Sequence, residues 1–365
     1  MTSEQKLTTA TSNVQCQQPT VSNPHFELKQ QEVPLAMLQT PFEIVAEAGS
    51  AYVVSSCLSA VAELGIADAL DDMPRAPQEL AALTGTDPGA LSRILRLLSS
   101  YGIFESRDGG YRHTPASRLL RTDHPQSMRS YVLMCAIPAF VNSFGALAHT
   151  LRTGRPASEK TCPGGMWDYM ANHPTEARIF NAGMSDKAQG PIAGVLASYD
   201  FSRFGTIADI GGGRGHLLRA VLAAAPNAKG ILFDQASVIE EAAGIASDRL
   251  KLQAGDFFKD ALPAADAYLI MQVIHDWSDE ESTKILSGIR RAAPPHAKLL
   301  VIEAVIPDRP GPDWAKTVDL YMLALLSGRE RTRDEYQKLL ASAGFRLDQM
   351  IDVGQSSAIL EALPA

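Results

Sequence analysis

The chain is poor in cysteine and has none of the spacings that give cysteines a joint role. Cys16, Cys57, Cys135 and Cys162 lie far apart, with no CxxC pair. That excludes a disulfide frame or zinc knuckle and leaves reduced thiols in a cytoplasmic protein as the expectation. Positive charge is not in excess, with 33 Lys and Arg against 41 Asp and Glu, the wrong balance for a nucleic-acid partner. No uninterrupted apolar run approaches the ~18 residues of a bilayer span, and the longest, residues 131–141, contains Pro138; no membrane partner is expected. A charged start followed by an apolar core is missing, so no secretory signal is expected. Residues 1–38, rich in Gln, Thr, Ser and Asn, are expected to be disordered. Spacings of the HxxxH kind are absent, and no metal is expected.

What the chain does hold is a glycine cluster where a strand turns into a helix. In TIADIGGGRGHL (residues 206–217), Ile207, Ala208 and Ile210 deliver Asp209 into glycines, and an amphipathic helix opens at His216. Such a turn brings backbone N–H groups and a helix N-terminus against a ligand. Gly211, Gly213 and Gly215 give GxGxG. The dinucleotide fingerprint GxGxxG needs glycine where His216 or Leu218 stands, which argues against a nicotinamide dehydrogenase. A second apolar run, residues 230–233, ends in Asp234, the place where such folds hydrogen-bond ribose hydroxyls. A third, residues 250–254, leads to Gly255-Asp256-Phe257. Aspartate ends strands and caps helices in any protein, but carboxylates at three successive strand ends favour a bound nucleoside.

Upstream, residues 41–70 carry Val45, Ala51, Val54, Leu58, Val61 and Leu64 at helical spacing, read as one apolar side that Gly65 ends. A helix opened by Pro77 and closed by Gly85 follows, then one capped by Asp87-Pro88 with Leu91, Ile94, Leu95 and Leu98 in register. A hairpin turning at Asp108-Gly109-Gly110 completes a winged-helix pattern. The pattern raises a rival of another class, a ligand-sensing DNA-binding regulator. Seven arginines against seven acidic residues over positions 71–123 leave no positive excess for phosphates, which argues against it. Helices are expected over residues 126–151, 166–170 and 175–199. Trp167, Phe180 and Met184 place large, adaptable side chains just before the glycine turn, where a helical core is the competing explanation.

The fourth strand, residues 267–274, is almost wholly apolar, as a strand covered on both faces should be. His275 and Asp276 follow at its carboxyl end, the rim where open α/β sheets bind ligands. Ser278 and Glu281 make a capping box for the next helix. A fifth strand, residues 299–302, ends in Glu303. Glu330, in the charged run GRERTRDE, reads by itself as one charge of a solvated face.

Taken in order, DIGGGRG, FD, GDFF, VIHDWSDEE, LLVIEAVIPD and GRERTRDEY resemble the S-adenosylmethionine (SAM)-dependent O-methyltransferases of the caffeate and hydroxyindole type, over roughly residues 40–360. The resemblance implies an α/β fold with a seven-stranded, Rossmann-like class I methyltransferase sheet behind a mainly helical winged-helix dimerisation domain. The implied layout is a disordered segment 1–38, dimerisation domain 39–125, helical acceptor-pocket region 126–200 and SAM-binding catalytic domain 201–365. It implies SAM without a metal, a small hydroxylated acceptor and a homodimer. Cofactor contacts fall on Asp209, Gly211, Gly213, Asp234, Asp256, Phe257, Met271, Asp276 and Ser185. Acceptor contacts fall on Trp167, Phe180, Met184, Met322 and Leu326.

His275 is then the base, with Glu303 and Glu330 flanking its ring. A phenol has an ordinary pKa of ~10, so methylation near neutrality needs a group to take its proton, and histidine at ~6.5 suits that task. Two positions depart from the plant pattern: Met271 replaces a lysine near the cofactor, and Lys187 replaces a histidine at the acceptor end. N-, S- or carboxyl methylation and non-methylating chemistry on the same fold are the other readings.

Overall fold

A computed structural model describes residues 40–365; the segment expected to be disordered, residues 1–38, and Cys16 lie outside the described residues. The chain divides after Ala51 into two units. Helix α1 (Pro41–Glu63) has apolar residues round its whole circumference, not along one side, and buries only Val61 and Ala62 near its end. A window of it has a mean hydropathy of 1.5 with 6% buried. By length and composition alone α1 is therefore apolar enough to cross a membrane, where no stretch of that length was expected from the sequence. Ser, Ala and Gly interspersed among its large residues broke up the run that would have announced it.

The winged-helix elements form as their caps dictate. Helix α2 (Pro77–Thr84) ends on a left-handed Gly85, and α3 (Pro88–Ser100) starts where Asp87 accepts a hydrogen bond from the Ala90 N–H at 2.7 Å. Strands β1 (Phe104–Arg107) and β2 (Gly110–His113) pair antiparallel. Asp108 and Gly109 between them both have positive φ, the geometry that suits a two-residue hairpin. Leu80, Leu91, Leu95, Leu98 and Phe104 are buried together.

A chain of helices follows: α4 (Pro115–Arg118), α5 (Arg129–Met134), α6 (Pro138–Gly145), α7 (Leu147–Thr153), α8 (Ser158–Thr161), α9 (Met166–Asn172) and α10 (Pro174–Ser198). The single helix expected over residues 126–151 is thus broken into three. Pro138 forces Ile137 into extended geometry (ψ 148°), and the helix restarts after it.

The central sheet is built on β3 (Thr206–Ile210), β4 (Lys229–Asp234), β5 (Leu250–Ala254), β6 (Ala267–Met271), β7 (Lys298–Ile306), β9 (Phe345–Gly354) and β10 (Ser357–Pro364), with the two-residue β8 (Arg331–Thr332) beside β7. Its order is β5-β4-β3-β6-β7-β10-β9. All pairs are parallel except those that β10 makes with β7 and β9. Helices α11 (His216–Ala224), α12 (Ala236–Glu241), α13 (Asp279–Ala292), α14 (Trp314–Leu325) and α15 (Arg333–Ser342) connect the strands. From β3 the chain winds outward to β5, then returns to place β6 on β3's other side. That reversal opens a crevice at the carboxyl ends of β3 and β6. Ala267 to Ile270 are fully buried, as a strand covered on both faces requires.

Two strand ends differ from expectation. β6 stops at Met271 because Gln272 turns left-handed (φ 52°), and residues 274–276 form a 3₁₀ turn. β7 runs on to Ile306, so Glu303 lies inside the strand, opposite Ala358 of β10. The Ser278–Glu281 capping box forms as expected directly after the 3₁₀ turn. Ser278→Ala should lower stability by about 1 kcal/mol, read as a reduced Tm; an unchanged Tm would show that this cap is dispensable.

Candidate active site

At the end of β3, Gly211, Gly213 and Gly215 all adopt left-handed backbone (φ 69°, 58° and 73°). Space as well as torsion demands glycine here. A Cβ on Gly212 would stand 2.5 Å from the Asp209 carboxyl, and one on Gly211 would stand 3.0 Å from Val273. The turn therefore winds tightly over Asp209 and into the N-terminus of α11. Burial, then the neighbouring Asp234, pushes the Asp209 carboxyl up to about 7. Asp234 accepts from the Gly213 N–H at 2.8 Å, which ties the second strand end to the glycine turn. Above the turn opens a cavity of about 310 Å³, walled by Gly211, Gly213, Ser185, Met184, Met271 and Gln272 among others.

Beside it lies His275, 3% exposed. Its Nδ1 stands 2.6 Å from Glu330 Oε1 and 3.4 Å from Glu303 Oε2. With carboxylates on that side, Nδ1 carries hydrogen and donates to Glu330. Nε2 is left for the pocket, with Asp276 Oδ1 at 3.5 Å. Glu303 is pinned in turn, Oε1 accepting from the backbone N–H groups of Val273 and Ile274 at 3.0 and 2.8 Å. Burial would lower the imidazole pKa, but Glu303, Glu330 and Asp276 together outweigh it and raise it to about 9. Burial pushes Glu303 the same way, up to about 7, against the pull of His275.

The Glu330 segment is fixed by its neighbours. Arg329 donates its N–H to the His275 carbonyl at 2.8 Å, and the Glu330 N–H goes to Asp319 Oδ1 at 2.9 Å. The buried Arg331 guanidinium binds the Ile274 and Trp277 carbonyls at 3.2 and 3.0 Å and Asp279 Oδ1 at 2.8 Å. Gly328 has no room for a side chain, since a Cβ would collide with the His275 carbonyl.

On the far side of His275 is a second cavity of about 140 Å³. Trp167, Phe180, Met184, Met322 and Leu326 all line it, together with His275, Asp276, Gln272 and Lys187. Trp167 and Phe180 pack edge to face with centroids 6.1 Å apart. Apolar walls round one imidazole suit a flat, largely apolar guest.

Residues 144–346 match the O-methyltransferase domain, and residues 47–123 match the O-methyltransferase dimerisation domain. The chain belongs to the SAM-dependent O-methyltransferases. It is similar to a phenazine O-methyltransferase of Lysobacter antibioticus, 39% identical over 320 residues, 86% of this chain and 93% of the relative. A similar degree of likeness joins it to an 8-amino-8-demethylriboflavin N,N-dimethyltransferase of Streptomyces davaonensis, 36% identical over 319 residues, 84% of this chain and 91% of the relative. Among solved structures, a methyltransferase of calicheamicin biosynthesis bound to S-adenosylhomocysteine (SAH) matches with a TM-score of 0.82 and 35% identity, over 88% of this chain and 97% of that one. This enzyme's methyl donor is SAM.

The glycine turn of this methyltransferase fits SAM, because Gly211, Gly212 and Gly213 wall the cavity without side chains and the buried Asp209 carboxyl lies in the same wall. Met271, which replaces the lysine of the plant pattern, lies in that wall beside Ser185. Phe257 touches the turn from the side, 3.7 Å from a Cβ position on Gly211, and packs on Trp277. The Asp256 carboxylate is turned to Lys259 at 2.8 Å, outside the cavity wall. Asp276, expected at the cofactor, lines the acceptor cavity instead.

His275, Glu303 and Glu330 also lie close enough to share one ion, with ligand atoms within 4.8 Å, a grouping that spacing along the chain did not suggest. Glu330 Oε1 serves the imidazole and Glu303 Oε1 the backbone, whereas the second oxygen of each glutamate is buried without a hydrogen-bond partner. Sequence reasoning missed Gln272, which lines both cavities; its one signal was a polar residue interrupting the apolar run 267–274. It also missed Arg331, whose charge read as solvated.

Proposed function

We propose that the methyltransferase acts on a phenolic or enolic hydroxyl of a small aromatic metabolite, with His275 as general base. The observation that carries this is the imidazole fixed through Nδ1 to Glu330, with Nε2 left toward an aromatic-walled cavity that adjoins the glycine cradle. SAM, when bound, supplies a methyl group already activated as a sulfonium. The chain's own part is to hold the acceptor against Trp167, Phe180, Met184, Met322 and Leu326, exclude water, and take the hydroxyl proton at Nε2. Asp209, Gly211, Gly213, Asp234, Met271 and Ser185 form the cofactor side of this reading, with Phe257 and Asp256 at its edge. Incubation with SAM and a panel of hydroxyarenes, read by methyl ether formation, tests it; SAH production without ether formation would refute it.

The pH dependence follows from the glutamates. Nε2 must be free of its proton to act, so kcat/KM should rise with pH and level off near 9, where His275 titrates. Glu330→Gln removes one carboxylate that raises this value, so the rising limb should move to lower pH. A pH–rate profile of both proteins checks the shift, and an unmoved limb would assign the ionisation elsewhere. Stability shares the sign. The folded imidazole keeps its proton up to about 9, against ~6.5 unfolded, so its contribution is full below ~6.5 and is lost as pH rises through about 9.

The kinship with an N,N-dimethyltransferase supports a second reading in which aromatic amines share the acceptor cavity; arylamines in the same panel separate the two. We further read the exposed apolar surface of α1, with Phe42, Val45 and Tyr52 at 70–81% exposure, as the interface of a homodimer, and the free cysteines as those of a cytoplasmic enzyme.

A further inference from the structure

Among the described residues, Met184 and Gln272 alone stand in the walls of both the cavity above the glycine turn and the acceptor cavity. The passage between the two spaces therefore runs past a thioether and a carboxamide. Methyl transfer needs the methyl carbon on one side of that passage and the acceptor oxygen on the other, so these two side chains are the ones that adjoin the reacting atoms. Met184 offers an apolar wall. Gln272 is half-buried, and its side-chain amide makes no hydrogen bond among the described residues.

The backbone at Gln272 is held in place from both sides. Its N–H donates to the Ile302 carbonyl at 3.0 Å, and the next two N–H groups, of Val273 and Ile274, donate to Glu303 Oε1 at 3.0 and 2.8 Å. Between these ties Gln272 takes a φ of 52°, which glycine adopts freely and a residue with a side chain adopts at a cost. Backbone shape alone therefore does not call for glutamine. Strain of this kind persists where the surroundings over-determine it, and it clusters at active sites. The chemistry has a use for the amide. As His275 Nε2 takes the proton, negative charge grows on the acceptor oxygen, and an N–H donated to that oxygen strengthens with the charge. Such a donor favours the transition state over the bound phenol.

We propose that Gln272 is a further catalytic residue, whose side-chain N–H donates to the acceptor oxygen where the two cavities meet and holds it toward the methyl group. The hydroxyl proton passes to His275 Nε2, an electron pair of the oxygen forms the bond to the methyl carbon, and the bond from that carbon to sulfur breaks with its electrons left on sulfur. The amide is unchanged by the step. This assignment rests on the reading that the acceptor hydroxyl lies between His275 and the glycine turn.

The test compares the full chain with Gln272→Met, which keeps the length and the strained backbone without the donor, and Gln272→Gly, which removes the donor and relieves the strain. Both should lower kcat about 10- to 100-fold, the worth of a hydrogen bond to a charged oxygen, with the acceptor KM within a few-fold. The Tm of Gln272→Gly should equal or exceed that of the wild type. Calorimetry of the SAH-saturated proteins supplies a readout without turnover: a nitrophenol acidic enough to bind as its anion should bind both variants about tenfold more weakly than the wild type. An unchanged kcat in either variant, a loss confined to KM, an anion that the wild type does not bind or that all three bind equally, or a lowered Tm in Gln272→Gly overturns the assignment. Acceptor acidity separates it from the base reading. The Gln272 deficit should persist for phenols already ionised at the working pH, where the His275→Ala deficit vanishes. A Gln272 deficit that vanishes with it would show Gln272 acting only through His275, whereas a His275 deficit that persists would sink the base reading and leave the amide contact standing.

Discussion

His275→Ala should lower kcat by about 10²- to 10⁴-fold, the usual worth of a positioned general base, while SAH affinity stays within a few-fold of the wild type. The separation is expected because His275 lines the acceptor cavity and not the larger cavity above the glycine turn. The variant also loses the cation that Glu303, Glu330 and Asp276 surround, leaving buried carboxylates without their partner. Part of that cost is absorbed by protonation, since Glu303 already titrates near 7 with the imidazole present and rises further without it. A lower Tm at alkaline pH is therefore expected alongside the kinetic loss. Parallel measurement of kcat and of SAH binding decides the matter. Loss of both together would mean that the substitution collapses the crevice.

Gly328→Ala should be nearly as damaging, although residue 328 is no part of the proton transfer. A single added carbon there collides with the His275 carbonyl and stands 2.8 Å from the Asp276 Cα. Either the 3₁₀ turn that carries the base moves away, or the strand that brings Glu330 to it does. Misplacement by about 1 Å costs on the order of 10²-fold in rate, and overpacking of a closed site costs about 1–3 kcal/mol. The expected result is a kcat loss of about 10²-fold with a Tm reduced by several degrees. A fully active Gly328→Ala would mean that the contact between these segments relaxes freely and that Glu330 does not orient the ring.

These two predictions rest on parts of the site that differed in how far the sequence revealed them. The glycine turn was readable because strand, left-handed turn and helix are all local, and GxGxG leaves few other ways to join them. His275 was readable because an apolar strand and a capping box bracket it. Its exact perch was not, because Gln272 leaves the sheet early through a conformation that glutamine rarely adopts.

The Glu330 segment was the opposite case. As a row of alternating charges it looks like a solvated helix start, and only long-range pairing shows that Glu330 and Arg331 are each 1% exposed. Arg331 serves backbone carbonyls of a loop more than fifty residues away in the chain, and no local pattern encodes that. The resemblance, not the residues alone, put Glu330 beside the histidine. For α1 the local pattern misled, since an all-round apolar helix diluted by Ser, Gly and Ala does not present a continuous run. Trp167, Phe180, Met184, Met322 and Leu326 come from three separate segments, and the cavity that unites them exists only once α9, α10 and α14 are packed.

The central claim is that the imidazole of His275 removes the proton of the acceptor hydroxyl. It is tested most directly by the rate of methyl transfer to a series of phenols of graded acidity, compared between wild type and His275→Ala at one pH. The deficit of the variant should be largest for weakly acidic phenols and should shrink toward nothing as the acceptor pKa falls below the working pH, where no base is needed. A deficit of the same size across the whole series would contradict the account, because it would show His275 holding the acceptor without taking its proton.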